Sequence, residues 1–315
     1  MADVAYIPGA AGRERRPAIG YAMVISAALL FALNGTVSKV VLQSGISSLE
    51  LTQVRATGAF LGFVLVLALT RRESLRLRRR EIPYLLVFGI AGVALVQWLY
   101  FVSISRLPIG IALLIEYIAP ILIAIWAWAV FKEPIRQRIW VALLLAVAGL
   151  AVVVEVWSGL SLDGVGVAAA LSAAVAYAVY VLMAERAVKW RDPGSLTAYG
   201  FLFAALFWAA VQPVWRFPAA RLDDDVSLLG NVERFSLPVW LLLLYVVLAG
   251  TMITFLLVAM SLRHISATRV GIVAMLEPVA ASAVAFVWLG ESFGSAQLLG
   301  GAVVLTAILL AQSAR

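Results

Sequence analysis

Four ionisable side chains stand inside long apolar runs of this 315-residue chain: Lys39, Arg55, Glu116 and Glu277. A charge at the middle of a membrane-length apolar run costs ~2.5–3.5 kcal/mol on insertion scales, so each of the four needs a partner or a task. A carboxylate in that setting can bind a substrate ammonium group or hold a proton, and a nearby cation can neutralise it. Each glutamate also has a proline close by, Pro120 four residues after Glu116 and Pro278 immediately after Glu277. Pro120 has no N–H for the carbonyl of residue 116 and Pro278 none for that of residue 274, so both runs are predicted to kink there. Freed carbonyls beside a carboxylate are tolerated at membrane depth only where protein or a water-filled cavity surrounds them.

A structural reading competes at each position. Glu116 could pair with Lys39 or Arg55 as an intramembrane salt bridge, and Glu277 could be balanced by Arg263 and Arg269 near the inner mouth. Arg55 could snorkel outward as an anchor. By residue count at ~1.5 Å rise, Glu116 lies toward the outer side of its run and Glu277 toward the inner side of its own. His264, the single histidine, falls in a loop and reads as a solvated residue, with a proton-sensing role as its rival.

Neutral polar and aromatic residues recur at helical spacing. Asn34 and Ser38 are one turn apart; Gln97, Tyr100 and Phe101 share a face, with Trp98 adjacent; Tyr117 follows Glu116; Tyr177 and Tyr180 share a face, as do Thr251 and Thr254. Together they describe an amphipathic cavity with aromatic walls, suited to small organic solutes. The competing reading is helix packing, since the same residue types bind membrane helices to one another. No HExxH, cysteine or GxxxxGK[ST] occurs, and Asp223-Asp224-Asp225 falls in a loop. No catalytic group, metal site or cofactor is therefore expected, which argues against an enzyme and an ATP-driven pump.

The elements that would carry these residues are membrane helices. Hydrophobic residues make up 64% of the chain and charged ones 13%, too apolar a balance for a water-facing surface. Ten runs of membrane-spanning character are expected: Ile19–Leu42, Ser48–Leu69, Ile82–Ser105, Gly110–Phe131, Ile139–Trp157, Val165–Ala187, Leu196–Trp215, Val239–Ser261, Val270–Leu289 and Gln297–Gln312. None has the alternating polarity of a barrel strand, so the fold class is an all-α integral membrane bundle. Residues 1–18 read as a disordered cytoplasmic tail without a cleavable leader.

The formal charge of +7 is unevenly placed. With the N-terminus inside, 18 basic residues fall on the inner segments and four on the outer, so both termini are expected in the cytoplasm and the chain in the cell inner membrane. The Arg71–Glu81 stretch, RRESLRLRRRE, reads as a topology determinant in contact with anionic headgroups of the bilayer rather than with nucleic acid. The oligomeric state is left open, a monomer sufficing.

The chain also repeats itself. An offset of 146 aligns Gly20 with Gly166 and Ser26-Ala27-Ala28 with Ser172-Ala173-Ala174; an offset of 158 aligns Pro120 with Pro278, Ala127 with Ala285 and Glu133 with Glu291. Five runs per half is an odd number, so residues 165–312 would enter the membrane inverted relative to residues 19–157, a construction that serves alternating access. With Phe131-Lys132-Glu133 after Pro120, and Glu277-Pro278 followed by Trp288-Leu289-Gly290-Glu291, the two halves resemble the five-helix EamA-like repeats of the drug/metabolite transporter superfamily. In length the chain is similar to its ten-helix bacterial exporters, including YddG-type amino-acid exporters. That resemblance implies a secondary transporter exporting small amphipathic metabolites, amino acids among them, through a cavity lined by the first, third, fourth, sixth, eighth and ninth helices. Cationic drugs or sugar-type metabolites are alternative cargo on the same scaffold, and a passive channel is the remaining alternative.

Overall fold

The computed structural model describes residues 16–104, 106, 107, 109–130, 132, 134–153, 157, 163–213, 217–290 and 294–313. The tail before Arg16 and the landmarks Phe131, Glu133, Trp215 and Glu291 lie outside the described residues. Within them the chain is helical throughout, apart from one short ribbon. The helices are α1 (Pro17–Gln43), α2 (Ser48–Thr70), α3 (Arg79–Ile104), α4 (Ile109–Glu116), α5 (Ala119–Ala129), α6 (Gln137–Val153), α7 (Gly164–Ala187) and α8 (Pro193–Val211), then α9 (Val239–Ser261), α10 (Ala267–Ala274), α11 (Leu276–Val284) and α12 (Ser295–Ser313). By length and apolarity, eight helical stretches among the described residues can cross a membrane, with α4–α5 and α10–α11 each forming one crossing through a break. Two shorter apolar helices, Gln137–Val152 and Leu298–Ala311, lie within α6 and α12. The chain is a multi-pass membrane protein.

Local chemistry sets several starts. Ser47 caps α2 by accepting from the Glu50 N–H while Glu50 Oε2 accepts from the Ser47 N–H, a reciprocal capping box. Asp163 caps α7 through the Gly166 N–H, and Asp192 caps α8 through the Gly194 and Ser195 N–H groups, with Pro193 at the first helical position.

Three stretches wind as π-helix: Phe88–Ala94 inside α3, Leu248–Ile253 inside α9 and Ala285–Leu289 directly after α11. The first two fall at nearly the same place under the 158-residue offset, and each carries glycine where a neighbouring helix comes close. A Cβ on Gly92 would stand 2.9 Å from the Tyr180 Cα, and one on Gly250 would stand 1.9 Å from Asn34 Oδ1. Wider winding is common at functional sites, because one inserted residue re-aims the side chains around it.

Contacts between the halves are reciprocal. Helix α1 packs on α9, α10 and α11, while α7 packs on α3, α4 and α5; α2 runs along α8, and α6 pairs with α12 at the periphery. The first helix of each half therefore docks on the third and fourth crossings of the other.

At one end of the bundle, the 71–81 linker is held rather than free. Arg191 forms an ion pair with Glu81 and also donates to Ser195 Oγ and the Arg76 carbonyl, its guanidinium lying 4.7 Å from the Tyr199 ring centroid. Burial holds the Arg191 guanidinium below its ordinary value, and the neighbouring Glu81 opposes that shift. Arg71 pairs with Asp192 at 3.3 Å. The side chains of Arg72, Arg76, Arg78, Arg79 and Arg80 remain exposed. The half-buried His264 accepts from the Arg16 N–H, so it joins the start of α1 to the α9–α10 turn instead of standing free in solvent.

At the other end, strands β1 (Asp225–Ser227) and β2 (Ser236–Pro238) pair antiparallel, a local addition to the helical fold. Between them Leu228 accepts from Trp288 Nε1 at 2.7 Å, and Asn231 donates to the Val287 carbonyl at 3.1 Å, tying this ribbon to the crossing that carries Glu277.

Candidate functional site

The site forms where two broken helices meet. Helix α4 stops at Glu116, Tyr117 and Ile118 make a turn, and α5 starts at Ala119 with Pro120 as its second residue. Helix α10 stops at Ala274, Met275 makes the turn, and α11 starts at Leu276 with Glu277 and Pro278 following. Each proline lacks the N–H that would bond the carbonyl four residues back, and its ring crowds that carbonyl. The breaks are stacked, because Gly271 faces Pro120 so closely that a Cβ there would lie 3.1 Å from the proline Cβ.

This stacking brings Tyr117 to Glu277: the phenol donates to Glu277 Oε2 at 2.6 Å. The span is a short, charge-assisted hydrogen bond between the two halves of the chain. Glu116 makes no side-chain hydrogen bond or ion pair among the described residues. It nonetheless feels the Glu277 charge, and Tyr100 and Tyr177 interact electrostatically with both glutamates. Glu116, Glu277, Tyr100 and Tyr177 are each half-buried.

The depth expectation is therefore corrected. Counting residues separates Glu116 and Glu277 toward opposite faces, whereas the structure gathers them at one level. The count assumes straight helices along the membrane normal, and both hosts are broken.

The predicted salt bridge to Glu116 is not formed. Lys39 is exposed and has no ion pair among the described residues. Arg55 neither pairs with Glu116 nor snorkels outward. It is 6% exposed, donates from Nε to Thr251 Oγ1 at 3.0 Å and from Nη2 to the Gly250 carbonyl at 3.5 Å, and lies 5.9 Å from the Phe101 ring centroid. Its electrostatic partners are Tyr100 and Glu277.

The remaining candidates divide. Asn34, Ser38 and Gln97 are buried, and Asn34 Oδ1, Ser38 Oγ and Gln97 Oε1 have no hydrogen-bond partner among the described residues. Gln97 Nε2 donates to the Val93 carbonyl. Tyr180 is buried with its ring stacked on Phe88 and edge-on to Phe255, and its hydroxyl lacks a partner among the described residues. Trp98 points away, 37% exposed and edge-on to Trp208, so it belongs to the outer surface of the bundle. The hydroxyls of Thr251 and Thr254 are consumed by backbone carbonyls, of Val246 for the first and of Gly250 and Thr251 for the second. They stabilise the π-helical turn and offer no free donor. Two residues absent from the sequence reasoning, Gly250 and Gly271, permit the close approaches that assemble the site; their signal was a glycine at the wider turn and one beside a proline-weakened helix.

No group of three or more His, Cys, Asp or Glu side chains that could hold a metal occurs among the described residues. What the arrangement can do is bind: two carboxylates, one of them unpartnered, with phenols around them and an arginine within electrostatic reach.

Comparison with known proteins places this architecture. The model of the EamA-like transporter family matches twice, over residues 18–155 and 164–312, and the chain belongs to that family. An uncharacterized transporter of Archaeoglobus fulgidus is 27% identical over 92% of this chain and 94% of its own length. The threonine/homoserine exporter RhtA of Escherichia coli is 26% identical over 80% of this chain and 78% of its own length. The uncharacterized transporter YwfM of Bacillus subtilis is 25% identical over 92% of this chain and 93% of its own length. A solved crystal structure superposes with a TM-score of 0.75 over 93% of this chain and 96% of its own, at 18% identity, and shares the fold.

Proposed function

Taking membership of the EamA-like transporter family as the premise, we propose that this chain is a secondary transporter of the cell inner membrane. It exports small amphipathic metabolites bearing an ammonium group, amino acids foremost, by alternating access through the cavity at the two helix breaks. In this reading residues 19–157 and 165–312 are inverted five-helix repeats with both termini in the cytoplasm. The exposed arginines of the 71–81 linker then lie against anionic headgroups on the inner face.

The single observation that carries the reading is the meeting of the two breaks at Tyr117 and Glu277, with the unpartnered Glu116 beside them. A charged carboxylate in a membrane interior is retained against its cost when a ligand completes it. Kinked helices contributed by both halves let that ligand be handed between faces as the halves exchange conformations. The reciprocal docking of α1 and α7 supports the same scheme, since movement of one half is felt in the crossings of the other. The threonine/homoserine exporter among the relatives points to amino acids. Asn34, Ser38, Gln97, Tyr100, Tyr177 and Tyr180 supply the polar and aromatic wall.

An uptake screen in proteoliposomes, with labelled amino acids, cationic dyes and sugars, tests the assignment. Saturable movement of ammonium-bearing solutes, reduced in Glu116→Gln and absent for sugars, is the expected outcome; sugar uptake indifferent to Glu116 and Glu277 contradicts it. Cationic dyes form the second reading, favoured by the excess of two carboxylates over one nearby arginine.

A further inference from the structure

Among the described residues, Arg55 is a buried cation whose surroundings do not complete it. Its partners, Thr251 Oγ1 and the Gly250 carbonyl, are neutral, the second at the limit of hydrogen-bond length. Its Nη1 makes no hydrogen bond among the described residues. Glu277 interacts with it electrostatically, yet the two do not close to an ion pair, and Glu277 is engaged instead by Tyr117. A guanidinium buried among neutral partners without an ion pair keeps its desolvation cost largely uncompensated. Next to the arginine, Asn34 presses against Gly250, the residue whose carbonyl Arg55 reaches, and Asn34 and Ser38, one turn apart, both keep buried polar atoms unpartnered. Arg55, Asn34 and Ser38 thus carry polar groups left incompletely satisfied among the described residues.

We propose that Arg55, flanked by Asn34 and Ser38, is the anion subsite of the cavity. It receives the carboxylate of a substrate whose ammonium group reaches Glu277 and Glu116, so the transported species is a zwitterion held between these groups. The planar guanidinium fork presents paired donors to a carboxylate, which explains arginine here in place of lysine. The neutral hydrogen bonds from Nε and Nη2 hold the fork in place while Nη1 remains available. The proposal rests on the carrier reading above and adds a subsite that the carboxylates alone do not require, since a simple cation would satisfy them.

The test uses the full-length protein in proteoliposomes and trans-stimulated exchange of threonine, leucine and phenylalanine. Each amino acid is compared with its amide, which lacks the carboxylate, and with its N-acetyl derivative, which lacks the ammonium. In wild type, the zwitterion is expected to exchange about 10- to 100-fold better than the amide, the worth of one charge-assisted interaction. In Arg55→Met that preference collapses to within ~3-fold through loss of zwitterion exchange, while amide exchange persists; Arg55→Lys, which keeps the charge without the fork, falls between. Persisting amide exchange also shows that the variant is folded, and if Arg55→Met does not assemble, Arg55→Lys and the wild-type ratio decide alone. Equal exchange of zwitterion and amide by wild type, or equal loss of both in the Arg55 variants, overturns the subsite while leaving the carrier standing. Absence of any exchange in wild type removes the carrier reading and the subsite with it.

Discussion

Tyr117 and Glu277, 160 residues apart in sequence, share a 2.6 Å hydrogen bond at the level where both of their host helices are broken. The bond joins the two halves through a buried phenol and a half-buried carboxylate. It orients Glu277, while Glu116 has no partner among the described residues.

Tyr117→Phe removes the donor and keeps the ring. A hydrogen bond to a charged group contributes about 1.5–3 kcal/mol. Amino-acid exchange in proteoliposomes is therefore expected to fall about 10- to 100-fold, with monodispersity in detergent unchanged. Unaltered exchange would show that the bond is dispensable.

Glu116→Gln and Glu277→Gln are expected to separate stability from function. Replacing an uncompensated buried charge with its neutral isostere relieves desolvation, so Glu116→Gln should raise the melting temperature of the ligand-free protein while lowering exchange. Glu277→Gln gains less, because the Tyr117 bond already compensates that carboxylate. A thermal-shift series on the two variants checks the order.

Pro278→Ala restores an N–H opposite the Ala274 carbonyl, and Pro120→Ala does so at Glu116. Each adds a helical hydrogen bond of about 1 kcal/mol and straightens a break that the cavity uses. The expected signature is higher thermal stability with slower exchange. Faster exchange in either variant would show that the breaks hinder rather than serve the cycle.

The Arg191–Glu81 ion pair gives a prediction about folding alone. Glu81→Gln leaves the buried Arg191 cation without its carboxylate and should destabilise the protein by about 3 kcal/mol. Arg191→Met combined with Glu81→Leu should lose much less, since neither charge then remains unpaired. Chemical unfolding in detergent of Glu81→Leu, Arg191→Met and the double variant measures the coupling.

Physical range explains which features could be read ahead of the structure. Membrane-length apolar runs and the effect of Pro120 and Pro278 on their helices are local consequences of composition and covalent chemistry, and they need no knowledge of neighbours. The joining of Tyr117 to Glu277 depends on where two breaks come to rest against each other, and that rests on Gly271 admitting Pro120 at close range. Arg55 was misread because snorkelling is the cheaper course for an arginine with no internal partner, and the Thr251 hydroxyl and Gly250 carbonyl that hold it lie almost 200 residues away. Trp98 shares a helix with Gln97 and Tyr100, but successive residues on a helix point ~100° apart, so adjacency in sequence carried it to the wrong side. Thr251 and Thr254 illustrate a similar limit: a hydroxyl on the expected face is spent on backbone once the helix widens into a π-turn.

The central claim is that ammonium-bearing substrate is carried, by alternating access, on the carboxylates at the helix breaks. The most direct measurement is counterflow in proteoliposomes preloaded with unlabelled amino acid, comparing wild type with the Glu116→Gln/Glu277→Gln double variant. The account predicts transient accumulation of label above equilibrium in wild type and none in the double variant, with protein incorporation matched. Label that equilibrates without overshoot in wild type, or an overshoot preserved in the double variant, would contradict it.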